Sequence, residues 1–115
     1  MDSGYVRVSG KLEIAVGKMK KVILDGRVVL IANVSGNCYA VGSECTHFGG
    51  GLSEGVLDGN VVTCPNHKAR FDVTIGKVIS PPAEALSHPD IEDLPTYLVK
   101  VEHQDIMIKV QSIEN

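Results

Sequence analysis

Alternating apolar positions near the end of the chain give the clearest structural signal in the sequence. Residues 97–102 and residues 106–111 both alternate with a period of two, on either side of residues 103–105. This period is typical of an antiparallel hairpin that buries one face. A second hairpin is predicted over residues 20–34, where Asp25-Gly26 separates two runs rich in Val, Ile and Leu. Asp-Gly supplies the positive φ angles that a two-residue hairpin turn requires.

Short apolar runs separated by further turn signals fill the middle of the chain. Turns are predicted at residues 35–37, 58–60 and 75–76, with short strands on either side. No segment has a sustained helical pattern, and a single helical turn at residues 83–86 is confined by a proline on each side. Short strands at this spacing predict an all-β fold, an antiparallel sandwich or barrel.

The composition is that of one ordinary globular domain. The 115 residues are 43% hydrophobic and 22% charged, so we expect a single domain over residues 1–115. No apolar run approaches the roughly 20 residues that span a bilayer, and the first ten residues lack a secretory signal pattern. The formal net charge of -3 argues against nucleic-acid binding. Three cysteines without a signal peptide indicate a reducing compartment, so we expect a cytoplasmic location.

Two Cys/His pairs carry the chemistry that the sequence offers. Cys45 and His47 form a C-x-H motif, and Cys64 and His67 form a C-x-x-H motif. After Phe48, the first pair is followed by Gly49, Gly50 and Gly51, which allow the backbones of two loops to approach one another. Two thiols and two imidazoles on two loops predict a metal centre between those loops.

Three kinds of site use cysteine and histidine together. Zinc binds two Cys and two His in many structural sites, but a zinc finger usually presents a cysteine pair followed by a histidine pair on a helix. A catalytic Cys/His pair would leave the second pair redundant, and no acidic orienting partner is recognisable. An iron–sulfur centre with two Cys on one iron and two His on the other explains why each loop carries one of each. The pattern favours the mixed iron centre, with a zinc-binding interaction module as the alternative.

The segment from Cys45 to Ala83 resembles the cluster-binding segment of Rieske-type ferredoxins. It is most similar to the small ferredoxins that serve bacterial aromatic-ring dioxygenases, and the likeness continues more weakly over residues 19–110. The resemblance implies a Rieske-type antiparallel β-sandwich or barrel with a cluster-binding subdomain at about residues 43–83. Two β-hairpin loops and a proline loop at residues 81–83 would form that subdomain.

The resemblance also implies a ligand set. One [2Fe–2S] cluster per chain is expected, with Cys45 and Cys64 on the inner iron. His47 and His67 would bind the outer iron, near the surface. No catalytic residues are expected.

Departures from the family pattern indicate a low reduction potential. Respiratory Rieske proteins carry an extra cysteine in each loop, and Gly50 and Asn66 stand at those positions. High-potential relatives place Ser and Tyr hydroxyls against the cluster, where this chain has Ala69 and Phe71. Because such hydrogen bonds stabilise the reduced state, we expect a midpoint at the low end of the Rieske range, about −150 mV. Lys68 replaces the usual glycine after the second ligand histidine.

An electron carrier, and not an enzyme, is the function that the resemblance implies. The chain would take one electron from a flavoprotein reductase and pass it to an oxygenase or another acceptor, as a monomer. An oxygenase itself needs a second iron held by two His and a carboxylate, and only His88 and His103 remain outside the proposed ligands. The alternatives are a small Rieske subunit of a larger oxidoreductase complex, such as that of nitrite reductase, and a zinc-binding interaction module.

Four further features have simpler interpretations. Cys38 is expected to be a small buried residue, and His88 and His103 are expected on the surface. Phe48 either contacts a redox partner or shields the cluster from water. The run over residues 84–94 is expected to be a surface loop, with partner recognition as the alternative.

Overall fold

The fold is known here from a computed structural model, which describes residues 4–24, 26–43, 51–65, 69–80 and 93–109. These residues form eleven strands and two 3₁₀-helices, and no α-helix occurs among them. The strands are β1 (Tyr5–Gly10), β2 (Met19–Leu24), β3 (Arg27–Val34), β4 (Asn37–Gly42), β5 (Val56–Asp58), β6 (Val61–Thr63), β7 (Arg70–Asp72), β8 (Lys77–Ser80), β9 (Thr96–Tyr97), β10 (Val99–Glu102) and β11 (Asp105–Lys109). The 3₁₀-helices are Lys11–Glu13 and Leu52–Glu54.

Three antiparallel sheets make up the described part of the chain. The first has the strand order β1-β11-β10, the second β2-β3-β4-β9 and the third β5-β6-β7-β8. The prediction of an all-β antiparallel fold is therefore confirmed. No helix in the described residues is long and apolar enough to cross a bilayer.

The predicted hairpin over residues 20–34 is confirmed. Strands β2 and β3 pair with Leu24 opposite Arg27, so the connection is the predicted two-residue turn. Gly26 in that turn has a φ of +78°, a conformation that side chains with a Cβ seldom adopt. Its companion Asp25 lies outside the described residues.

The predicted hairpin at the end of the chain forms, but with different limits. The turn between β10 and β11 consists of His103 and Gln104, and Asp105 already pairs with Glu102. Tyr97 does not extend β10, because it pairs with Ala40 of β4 in the second sheet. The alternation over residues 97–102 therefore spans two strands, since period two reports alternate burial and not the pairing partner.

Two buried cores lie on opposite faces of the second sheet. In β3, Leu30 and Ala32 belong to one core, and Val29 and Ile31 belong to the other. This explains why β3 is nearly all apolar and does not alternate. The first core consists of Leu30, Ala32, Val41, Leu52, Val62, Cys64, Ala69, Phe71, Val73 and Leu94. The second core consists of Ile14, Leu24, Val29, Ile31, Ala40, Ile106 and Ile108.

The chain returns to the third sheet through a short segment before β9. Leu94 belongs to the first core, and its N–H donates to the carbonyl of Gly76 at 2.7 Å. The Asp93 carboxylate accepts a hydrogen bond from the Val78 amide at 2.9 Å. The proline loop, the helical turn and His88, all predicted within residues 81–92, lie outside the described residues.

Candidate metal centre

The sequence places the four candidate ligands in or beside two connections. The first connection joins β4 to the second 3₁₀-helix, and the second connection joins β6 to β7. Cys45 and His47 belong to residues 44–50, and His67 belongs to residues 66–68, which lie outside the described part of the chain. Cys64 lies at the end of β6 and is described. The structure therefore defines the bases of both connections and one candidate ligand.

The first connection is closed at its base by backbone hydrogen bonds. The carbonyl of Ser43 accepts from the Leu52 N–H at 2.8 Å, which ties the end of β4 to the second 3₁₀-helix. The Ser43 N–H donates to the Val28 carbonyl at 3.1 Å, so the same residue is also tied to β3. Both ends of the first connection are thus fixed to the second sheet.

The second connection is closed in the same way. The Cys64 N–H donates to the Ala69 carbonyl at 2.8 Å, directly beyond the paired residues Thr63 and Arg70. The Cys64 side chain is 1% exposed and its thiol is free of any disulfide. A hairpin between β6 and β7 therefore presents a buried thiol at its base.

The two bases meet in the first core. Leu52 from the first connection and Cys64 and Ala69 from the second are all buried there. Gly55 brings the backbones close: a Cβ at this position would overlap the Thr63 carbonyl oxygen and would lie 3.1 Å from the Thr63 carbonyl carbon. The φ of Gly55 is −89°, so space and not backbone conformation demands glycine here.

The described part of the site fits one thiolate ligand of an iron–sulfur cluster. Cys64 supplies a free thiol, the sulfur donor that such a cluster requires. The Ser43 hydroxyl is buried and, among the described residues, has no hydrogen-bond partner. The apolar surroundings at the bases of the two connections therefore contain one free thiol and one hydroxyl that has no partner among the described residues.

Cys38 lies apart from this site. Its side chain is half-buried and packs against the second core, on the other face of the sheet from the core that contains Cys64. Burial raises the pKa of the Cys38 thiol, and the nearby Lys11 offsets this only in part. The structure thus supports the interpretation of Cys38 as a packing residue. His103 is exposed in its turn, as predicted.

Two features of the site were not predicted from the sequence. Ser43 and Gly55 lack a motif, because the burial of one and the tight packing of the other depend on strands that are distant in sequence. Ala69 and Phe71, which carry no hydroxyl, are both fully buried in the first core.

Comparison with known proteins defines the class. The family model described as the Rieske [2Fe-2S] domain matches residues 4–106. The ferredoxin component of the naphthalene 1,2-dioxygenase system of Pseudomonas aeruginosa is 36% identical over 108 residues, covering 94% of this chain and 97% of that protein.

Solved structures with the same fold include ferredoxins. The ferredoxin of carbazole 1,9a-dioxygenase from Nocardioides aromaticivorans IC177 superposes with a TM-score of 0.84 at 25% identity, over 95% of this chain and 100% of its own. A chain in a complex of reduced oxygenase and oxidized ferredoxin of carbazole 1,9a-dioxygenase gives a TM-score of 0.82 at 26% identity, over 98% and 100%.

The chain belongs to the Rieske [2Fe-2S] domain family. Within that family it is an electron-transfer protein of the ferredoxin type, which carries electrons and is not itself a catalyst.

Proposed function

We propose that Cys45, His47, Cys64 and His67 hold one [2Fe–2S] cluster, with the two thiolates on one iron and the two imidazoles on the other. The buried free thiol of Cys64, at the point where the bases of the two connections share one core, is the observation that carries this assignment. When bound, such a cluster accepts and releases one electron. The chain's own residues fix the position of Cys64 and keep water from its sulfur.

The electron would pass from a flavoprotein reductase to a ring-hydroxylating oxygenase. Support comes from relatives named as ferredoxin components of dioxygenase systems, and from the similar chain in a complex of oxygenase with ferredoxin. Redox encounters of this kind use small interfaces, often below about 1,200 Å². A mildly acidic chain with a net charge of -3 suits reversible docking to a partner of complementary charge.

The same proposal covers the organisation of the chain. We expect one domain over residues 1–115, a monomer, and a reducing cytoplasmic setting. The two cysteines described by the structure, Cys38 and Cys64, are free thiols, which is consistent with that compartment.

Metal analysis and EPR spectroscopy of the purified protein test the ligand assignment. The reduced wild-type protein should contain two irons and two acid-labile sulfides per chain, and its EPR signal should have a lower average g value than an all-cysteine cluster. Cys64→Ser should lose most of the cluster. Cys38→Ser is the matched control, because it removes a thiol that packs against the second core, and it should keep the cluster.

Two results would contradict the assignment. A colourless protein with one zinc and no acid-labile sulfide would indicate the zinc-binding module. Loss of the signal in Cys38→Ser but not in Cys64→Ser would place the ligands elsewhere.

Stopped-flow mixing of the reduced protein with a ring-hydroxylating oxygenase tests the proposed acceptor, and no electron transfer at any salt concentration would exclude it.

A further inference from the structure

The Ser43 side chain is an unusual polar group at the base of the first connection. It is 1% exposed, and its Oγ has no hydrogen-bond partner in the part of the chain that the structure describes. Among the described residues it is the side-chain oxygen or nitrogen that burial leaves unpaired. Because buried polar groups are nearly always hydrogen-bonded, an unpaired one indicates a partner that is supplied from elsewhere.

The backbone of Ser43 is already fully used, so only the hydroxyl is available. Its N–H donates to the Val28 carbonyl and its carbonyl accepts from the Leu52 amide. Side chains of β4 alternate between the cores, with Ala40 in the second and Val41 in the first. Continuing this alternation places Ser43 on the side of Val41, which is the side of the core that contains Cys64.

Ser43 precedes the proposed ligand Cys45 by two residues, and sulfur is the acceptor that a bound cluster would bring to this side of the sheet. We propose that the Ser43 hydroxyl donates a hydrogen bond to a sulfur atom of the cluster, either a bridging sulfide or a ligand thiolate. This inference rests on the proposed function. Ser43 is then a positioning residue that stabilises the reduced state, since the donor's positive end faces the negative charge that reduction adds.

This role would be distinct from that of the two positions at which high-potential relatives carry hydroxyls. Those positions are Ala69 and Phe71 here, and neither side chain can donate a hydrogen bond. Ser43 comes from the other connection, directly after the end of β4 at Gly42. The Ser43 hydroxyl would then limit how low the midpoint potential of the cluster is, since residues 69 and 71 supply no hydroxyl donor.

Substitution of Ser43, followed by measurement of the midpoint potential, tests the proposal. Ser43→Ala should favour the oxidised state, and a tenfold fall in the one-electron reduction constant would appear as a shift of about 59 mV in protein-film voltammetry. Ser43→Thr keeps the hydroxyl and should restore most of the wild-type potential. Ser53→Ala is the matched control, because this serine follows Leu52 at the other end of the connection and is only half-buried.

A second measurement separates an electronic role from a structural one. After exchange into D₂O, the reduced wild-type and Ser43→Thr proteins should show a deuteron coupling in ENDOR spectra that Ser43→Ala lacks. An unchanged midpoint and unchanged couplings in Ser43→Ala, with only a lower Tm, would overturn the proposal and assign Ser43 to loop stability. If the wild-type protein has no Rieske EPR signal, the proposed function itself fails, which is a separate and recognisable result.

Discussion

Gly55 offers the sharpest test of how the two connections are held together. This residue lies between the second 3₁₀-helix and β5, where its backbone runs against that of Thr63 at the end of β6. Thr63 directly precedes the candidate ligand Cys64. Adding one methyl group through Gly55→Ala should therefore displace the backbone that positions the thiol.

The size of the effect follows from the space around Gly55. A Cβ there would lie 3.1 Å from the Thr63 carbonyl carbon and 3.3 Å from the Leu52 oxygen, and closer still to the Thr63 oxygen. These are backbone atoms that cannot rotate away as a side chain would, so the cost should be near the top of the usual range for overpacking, about 3 kcal/mol. For a chain of this size, that corresponds to a fall in Tm of roughly 12 °C.

Gly51→Ala is the matched control for the same methyl group. Gly51 is in the same short segment, has an ordinary φ of −77°, and would have no atom of the described residues within 4 Å of its new Cβ. Its replacement should be neutral or stabilise the fold by about 0.4–1 kcal/mol, because alanine restricts the unfolded chain. Thermal unfolding and iron content are measured for both variants, and Gly55→Ala should lose both stability and iron.

Equal behaviour of the two variants would refute this reasoning. If Gly55→Ala kept the wild-type Tm and iron content, the contact between Gly55 and Thr63 could relax without cost, and the spacing of the two connections would not depend on it. A lower Tm with full iron content would separate stability from ligand placement.

The remaining predictions concern single side chains around the site. Phe71→Tyr adds a hydroxyl where high-potential relatives have one, so the midpoint should rise by up to about 59 mV in voltammetry, and a fall would contradict this. Although burial acts to raise the pKa of Asp72, hydrogen bonds from Thr74 and Asn60 lower it below its usual value. The stabilisation from this carboxylate is thus present above the unfolded-state pKa and is lost as pH falls through the lower folded pKa. Asp72→Ala should cost about 1 kcal/mol near neutral pH in urea unfolding and reduce the loss of stability in acid. Cys38→Ala should keep full iron content while costing up to about 1 kcal/mol, and loss of iron would contradict its assignment to the second core.

Much of the fold could be predicted because turn chemistry is local. Gly26 and Gly36 both have positive φ angles in tight connections between strands, as their sequence context indicates. The assignment of residues 97–102 to one strand was wrong for the opposite reason. Tyr97 and Val99 both pack against the second core, yet they pair with different sheets, and burial alone does not reveal the partner strand.

The candidate site also combines features that neighbouring residues in the sequence reveal with features that depend on residues distant in the sequence. A short motif is enough to mark Cys64 as a candidate ligand, because spacing and residue type carry that information. Nothing local marks Ser43 as buried, since its backbone hydrogen-bond partners, Val28 and Leu52, come from other parts of the chain.

The burial of Cys64 links this candidate ligand to the packing of the fold. Its side chain is a full member of the first core, together with Leu52, Phe71 and Leu94, so the Cys64 sulfur is positioned by apolar contacts as well as by the backbone hydrogen bond to Ala69. Close-packed interiors resist small displacements, and this resistance keeps the thiol in place before any metal binds. Changes in the first core should therefore affect the candidate metal centre more than equal changes in the second core, which contains no candidate ligand among its described residues.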